Sequence, residues 1–133
     1  MFAQHLAPFI KTPLFVLQAQ YDSWQVPNIL GSKTPALVNE FGANLTALVR
    51  STILNRQGNA AFVDGCYHHT QGWDRWVVDG VTEAHAFSMW YANGTSVLPN
   101  NGAVISEGVY PCTRCQCNYA VTQADTEEHW VRV

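Results

Sequence analysis

Two residues, Asp22 and His69, each follow a short apolar segment of the kind that forms a buried strand. A carboxylate that accepts the Nδ1 hydrogen of a histidine fixes the tautomer of the ring. The other ring nitrogen can then take a proton from a hydroxyl nucleophile. These two residues are therefore candidates for the acid and the base of a nucleophilic hydrolase.

Apolar patterning predicts the elements that position this pair. The run TPLFVLQAQ predicts a buried strand around 13–19, and NAAFVDG predicts a second strand over 60–64. Leucine and phenylalanine at spacings of three and four predict a helix over 34–57, which Pro35 can begin and Gly58 can end. Strands that alternate with a helix indicate an α/β fold with a parallel sheet. In such sheets, functional residues lie beyond the carboxyl ends of the strands, where both candidates are found.

The remainder of the chain is less regular. A second helix is predicted over 80–91, and residues 94–119 are rich in Gly, Pro, Asn and Cys, which indicates an irregular tail held by disulfides. Residues 120–133 are expected to be loosely ordered. We therefore expect one domain over 1–119, followed by a loose tail over 120–133.

A nucleophile is the missing part of this chemistry. α/β-hydrolases carry their triad in the order Ser, Asp, His, with the serine in a G-x-S-x-G turn between a strand and a helix. None of the chain's serines has that context, and no Gly-rich segment could form an oxyanion hole. The residues alone therefore identify no nucleophile to accompany Asp22 and His69.

Charge and hydropathy exclude several other functions. Seven basic residues, scattered along the chain, stand against ten acidic ones, for a net charge of −3. Binding to nucleic acid through phosphate neutralisation is therefore not expected, nor is a polybasic membrane patch. No stretch of apolar residues is long enough to span a bilayer.

Four cysteines, Cys66, Cys112, Cys115 and Cys117, are candidates for disulfides, because an even number suits pairing. The sequence leaves all three possible pairings open. A zinc site on the last three cysteines is the competing interpretation, but the second spaced pair that zinc sites usually show is missing. We therefore expect neither a metal nor a cofactor.

Two N-glycosylation sequons, at Asn44 and Asn93, favour secretion when taken together with the cysteines. The first twenty residues lack the basic start and the long apolar core of a signal peptide. If the protein is secreted, its signal is therefore expected to precede this chain.

Four segments resemble the pectinacetylesterase/Notum family in their order and spacing. They are IKTPLF leading into YDSWQ over 10–25, FVDGCYHH over 62–69, VTEAHAFSMWY over 81–91, and YPC over 110–112 with Cys117. In that family the nucleophile and the oxyanion glycines lie upstream of anything in these 133 residues. The resemblance therefore implies that the chain is either the carboxyl-terminal portion of an extracellular α/β-hydrolase or a truncated, inactive relative. Such an enzyme would cleave carboxylic esters with a Ser-Asp-His triad. The terminal segment carries one cysteine more than the family pattern, which leaves the disulfide pairing open.

Residue roles follow from this resemblance by position. Asp22 would be the acid and His69 the general base, whereas chemistry alone leaves the adjacent His68 as an alternative. We expect His68 to be a variable loop residue and Asp64 to be a strand-end residue. Tryptophans that could line a sugar or acyl site, or simply pack in the core, are Trp24, Trp73, Trp76 and Trp90.

The function implied by the resemblance is deacetylation of cell-wall pectin by a secreted enzyme. Its partners would be an acetylated polysaccharide and the amino-terminal half of the same protein, and this chain alone would be inactive. The alternative is a non-catalytic secreted fragment or a carbohydrate-binding relative.

Overall fold

A computed structural model describes residues 3–70 and 72–111 of the chain. Cys112, Cys115, Cys117 and the predicted loose tail over 120–133 lie outside the described residues, so the disulfides, the competing zinc site and the domain boundary stay predictions.

The described fold is α/β, built on a parallel three-stranded sheet. Strands β1 (Phe15–Ala19) and β2 (Ala60–Asp64) pair in parallel, with Phe15 opposite Ala60 and Ala19 opposite Asp64. The predicted parallel pairing is thus confirmed. Both strands end at the same edge of the sheet, which brings the segments that follow them together.

Strand β2 occupies the centre of the sheet, and all five of its residues are buried. Its side chains alternate between two apolar clusters. Phe62 packs with Ala86 on one face, and Val63 packs with Val49 on the other. Because helices cover both faces, the strand is apolar along its whole length, as is usual for parallel sheets.

Helix α2 (Pro35–Thr52) connects β1 to β2 as predicted, although it ends five residues before the expected Gln57. The reason is Asn59, which is buried just before β2. Its Nδ2 donates to the Ile53 carbonyl at 3.0 Å, and its Oδ1 accepts the Leu14 amide at 2.9 Å. The side chain therefore satisfies backbone groups at the helix end and beside β1, and the chain turns towards β2.

A hairpin precedes the second long helix. Strands β3 (Val77–Val78) and β4 (Val81–Thr82) pair in antiparallel fashion across Asp79 and Gly80, both of which have positive φ. An Asp-Gly pair is a strong hairpin signal. Helix α3 (Glu83–Asn93) therefore begins later than the predicted residue 80, and the Thr82 hydroxyl caps it by accepting the His85 amide.

A third parallel strand, β5 (Ala103–Ile105), pairs with the free edge of β2. The prediction that residues 94–119 are irregular is therefore wrong in part. This strand is short and follows a Pro-Asn-Asn-Gly turn, so local sequence carries little signal for it. Pairing with β2 and burial of Ala103 and Val104 stabilise it instead.

Short helical segments complete the described chain. They are α1 (Ala3–Leu6), the 3₁₀ turns Ala7–Phe9, Thr95–Val97 and Pro99–Asn101, and a π-helical turn over Val26–Leu30. Within the described ranges, no helix combines the length and the apolar character needed to cross a membrane.

Candidate active site

Asp22 lies three residues beyond the end of β1, in a tight turn, and is 5% exposed. Its Oδ1 accepts the backbone amides of Trp24 at 2.8 Å and Gln25 at 2.9 Å. Such a turn is characteristic of an aspartate that precedes a helical segment, here Val26–Leu30. The carboxylate is therefore fixed by its own backbone before any other side chain contacts it.

His69 lies five residues beyond the end of β2 and meets Asp22 across the edge of the sheet. Its Nδ1 is 3.0 Å from Oδ1 and 2.9 Å from Oδ2 of the carboxylate. The amide of Ser23 also donates to the His68 carbonyl at 2.9 Å, which joins the two loops through their backbones. The expected contact between the Asp22 and His69 side chains is thus present, although their catalytic roles stay a prediction.

Electrostatics keep the Asp22 carboxylate ionised. Burial by itself raises the pKa of Asp22, but the hydrogen bonds from His69 and from the amides of Gln25 and Trp24 outweigh burial. The pKa of Asp22 therefore lies below its ordinary value. An ionised carboxylate only accepts hydrogen bonds, so Nδ1 of His69 carries the hydrogen of this contact.

The two side chains of the pair differ in their exposure to solvent. The carboxyl side chain of Asp22 is 8% exposed, whereas that of His69 is 51% exposed. The ring of Trp24 lies beside His69, with 6.1 Å between the ring centroids. The pair is therefore anchored at one end and open to a reactant at the other.

A cleft of about 220 Å³ contains both side chains. It is lined by the end of β1, by the turn of Asp22, by residues 68–70 and by Glu83 of α3. Among the described residues that line it, none is a serine or a cysteine. The described part of the chain thus brings a carboxylate and an imidazole together in this cleft.

His68 lies in the loop after β2, as expected, and its side chain makes specific contacts there. Its side chain is 11% exposed, and its Nε2 lies 2.9 Å and 3.0 Å from the two oxygens of the Asp64 carboxylate. Its ring also stacks on Trp76, with 4.2 Å between the centroids. Asp64 is the last residue of β2, as expected, and it is wholly buried. The structure therefore contains a second His–carboxylate pair beside the first.

Glu83 is a third buried carboxylate at this edge, and sequence reasoning did not single it out. It is 1% exposed, and its Oε2 accepts the amides of Gly72 at 3.1 Å and Trp73 at 2.9 Å. Burial raises the pKa of Glu83, and the two amides only partly oppose this shift. The only sequence signal for this residue was its place in the first turn of a helix.

The other predicted residues are distributed as follows. Trp90 packs in the core, and its Nε1 donates to the Gly58 carbonyl at 2.9 Å, so it is structural. Asn44 and Asn93 are both exposed on helices, and Cys66 is buried. The described ranges contain no cluster of three or more His, Cys, Asp or Glu side chains suited to a metal ion.

Comparison with known proteins identifies the family of this chain. The model of the pectinacetylesterase family matches residues 1–118, and the chain belongs to that family. Pectin acetylesterase 11 of Arabidopsis thaliana is 30% identical over an alignment of 94 residues, and the match covers 53% of this chain and 23% of that protein. Pectin acetylesterase 7 of the same plant is 52% identical over 29 residues, which cover 22% of this chain and 7% of that protein. The chain therefore aligns with less than a quarter of the length of these relatives.

Proposed function

We propose that this chain supplies the acid and the base of a Ser-Asp-His triad in a carboxylic ester hydrolase. The observation that carries the proposal is the contact of His69 Nδ1 with both oxygens of buried Asp22, beyond the carboxyl ends of two parallel strands. Membership of the pectinacetylesterase family and the names of the relatives support acetylated pectin as the substrate.

The roles follow from the geometry of the pair. Asp22 holds the Nδ1 hydrogen of His69 and stabilises the imidazolium that forms when the ring accepts a proton. Nε2 of His69 takes the proton of a serine hydroxyl as that oxygen attacks the ester carbonyl, and it later returns a proton to the leaving alcohol. Both steps need an unprotonated Nε2 that faces the cleft, which agrees with the half-exposed ring.

The serine and the oxyanion hole belong, in this proposal, to an upstream segment of the same α/β-hydrolase. Strand β1 is one of the two edge strands of the described sheet, so its outer edge is available to pair with a further strand. The proposed location is the cell wall or another extracellular space, in keeping with the two exposed sequons. The chain by itself would then lack esterase activity.

The test compares the chain alone with the chain joined to the upstream segment that the proposal requires, on an activated acetyl ester and on acetylated pectin. The joined protein is expected to hydrolyse both, and His69→Ala is expected to remove nearly all activity. The control is His85→Ala, which alters an exposed histidine of α3. Rapid hydrolysis by the isolated chain, or full activity of the joined His69→Ala protein, would contradict the proposal.

Exposed aromatic side chains favour a second candidate, a carbohydrate-binding relative without catalysis. Trp24 is 52% exposed, Trp73 48% and Tyr91 79%, and each offers a ring to a sugar face. Binding of pectin by the joined protein without release of acetate would favour this candidate over the esterase.

A further inference from the structure

A buried cluster of ionisable groups lies beside the cleft of the Asp22–His69 pair, and two of its members, His68 and Glu83, line that cleft. Asp64 is 0% exposed and Glu83 is 1% exposed, and the side chain of His68 is 11% exposed. Burial of ionisable groups is costly unless they are paired. Three buried ionisable groups so close together therefore require an explanation.

Hydrogen bonding defines the protonation state of His68. Its Nε2 faces the Asp64 carboxylate at 2.9 Å, and its Nδ1 faces the carbonyl oxygen of Thr70 at 2.8 Å. Both partners only accept hydrogen bonds, so both ring nitrogens carry hydrogens and the ring is an imidazolium. Trp76 stacks on the ring at a centroid distance of 4.2 Å, within the range of cation–π contacts.

The Thr70 carbonyl points at this cation because of an unusual backbone. Thr70 has φ +73°, in the left-handed region that a β-branched residue rarely adopts. Trp73 also has a positive φ, of +41°, and its amide is held by Glu83. His69 is thus flanked by a strained residue on one side and by the ring of His68 on the other. Strain of this kind persists only where surrounding contacts hold it.

We propose that His68, charged and paired with Asp64, is a positioning residue that holds the strained turn at Thr70 and thereby directs the ring of His69 towards Asp22. Glu83 fixes the following turn through two amides. The consequence for catalysis rests on the function proposed above, whereas the positioning itself does not.

The proposal implies a pH dependence. Burial lowers the pKa of His68, but the hydrogen bond and charge of Asp64, the Thr70 carbonyl and the charge of Glu83 outweigh it and raise the pKa above 6.5. Asp22 and His69 are the other titratable groups described in the cleft. A raised pKa means that the stabilisation is complete below the ordinary pKa of histidine. It is lost as the pH rises through the higher pKa of the folded protein.

Nitrogen-15 NMR of the histidine rings in this chain tests the protonation state. His68 is assigned by its loss in His68→Gln, with His85→Gln as the control at an exposed position. Both nitrogens of His68 are expected to stay protonated to a pH above the titration of a free histidine. A neutral His68 ring at pH 7 would overturn the proposal.

Variants test the positioning. In His68→Gln, the Nδ1 hydrogen of His69 is expected to exchange with water roughly tenfold faster or more, because the turn is no longer held by a charged group. Thr70→Gly removes the strain, since glycine adopts positive φ readily, so the double variant is expected to recover most of the protection. Unchanged exchange in His68→Gln, or no recovery in the double variant, would refute the positioning role.

The same variants in the joined protein distinguish the positioning role of His68 from the proposed esterase function. His68→Gln is expected to lower kcat by about 10- to 100-fold with little change in KM, because the base is misdirected while the substrate still binds. If NMR shows the positioning but His69→Ala keeps its activity, the proposed function fails and the positioning stands. An unchanged kcat in His68→Gln, alongside an inactive His69→Ala, would overturn the catalytic consequence drawn here.

Discussion

Replacing Asp22 with asparagine changes the charge of the buried acid while keeping its shape. The carboxylate of Asp22 accepts two backbone amides through Oδ1 and the Nδ1 hydrogen of His69. In Asp22→Asn, the amide oxygen can keep the two backbone hydrogen bonds, which leaves the NH₂ group facing His69. An NH₂ group donates, so His69 must then accept at Nδ1 and carry its hydrogen on Nε2.

The cost in stability follows from the two backbone hydrogen bonds. Hydrogen bonds to charged groups contribute about 1.5–3 kcal/mol to stability, and neutral ones contribute about 0.5–1.5 kcal/mol. Each of the two backbone hydrogen bonds therefore loses about 1 kcal/mol when its acceptor changes from a carboxylate to an amide. The contact with His69 adds little, because that ring is half exposed. The free energy of unfolding is therefore expected to fall by about 2 kcal/mol at neutral pH. If the joined protein is the proposed esterase, the wrong tautomer is expected to lower kcat by about 10⁴-fold, the loss that an Asp→Asn change causes in a serine-protease triad.

Urea unfolding measures the loss of stability in Asp22→Asn. Nitrogen-15 NMR of His69 shows which ring nitrogen carries the hydrogen. The midpoint is expected to fall by roughly 1 M with an unchanged slope, since a slope of about 1–3 kcal/mol/M is usual. Asp79→Asn is the matched control, because Asp79 is exposed in the β3–β4 turn, where asparagine tolerates the positive φ. An unchanged midpoint together with a hydrogen still on Nδ1 of His69 would refute the reasoning.

Three further outcomes are expected. Because the pKa of Asp22 is lowered, the stabilisation from its carboxylate is present above pH 3.8 and is lost as the pH falls through the lower pKa of the folded protein. The difference in unfolding free energy between wild type and Asp22→Asn should therefore shrink in acid, and a constant difference contradicts this. Glu83→Ala, which leaves two backbone amides without an acceptor, should cost about 1–3 kcal/mol in urea unfolding, whereas Glu83→Gln should cost less; equal losses would argue against the amide contacts. Gly42→Ala should destabilise the protein by about 1–3 kcal/mol, because the new Cβ would lie 2.5 Å from the buried ring of Tyr21, and a thermal shift of zero would show that the ring can move.

The local sequence was sufficient for the two strands and the crossover helix. Buried β2 is an uninterrupted apolar run that ends in an aspartate, and Pro35 marks the start of α2. These signals are local, because apolar periodicity and helix-start residues act within a few positions. A contact between Asp22 and the His68–His69 pair then followed, since parallel strands end at one edge of a sheet. The choice of His69 over His68 came from the resemblance to the family and not from the local pattern.

The Asp-Gly hairpin was also present in the local sequence, at Asp79 and Gly80, although residues 73–78 gave no clear period. The two-residue strands on either side are too short to show alternation. The turn residues Asp79 and Gly80 were therefore a better signal for this hairpin than the hydrophobic pattern of its strands.

Only the tertiary structure decided what surrounds the first His–carboxylate pair. Strand β5 is three residues long and depends on the edge of β2, some forty positions earlier in the chain. The contact of Glu83 with the 72–73 turn, and that of His68 with Trp76, likewise need α3 and the hairpin to fold back over the sheet. A carboxylate or imidazole has the same sequence signature whether it is solvated or buried. Its charge and partners are therefore set by the packing around it, which is why Asp64, His68 and Glu83 emerged as a cluster only in three dimensions.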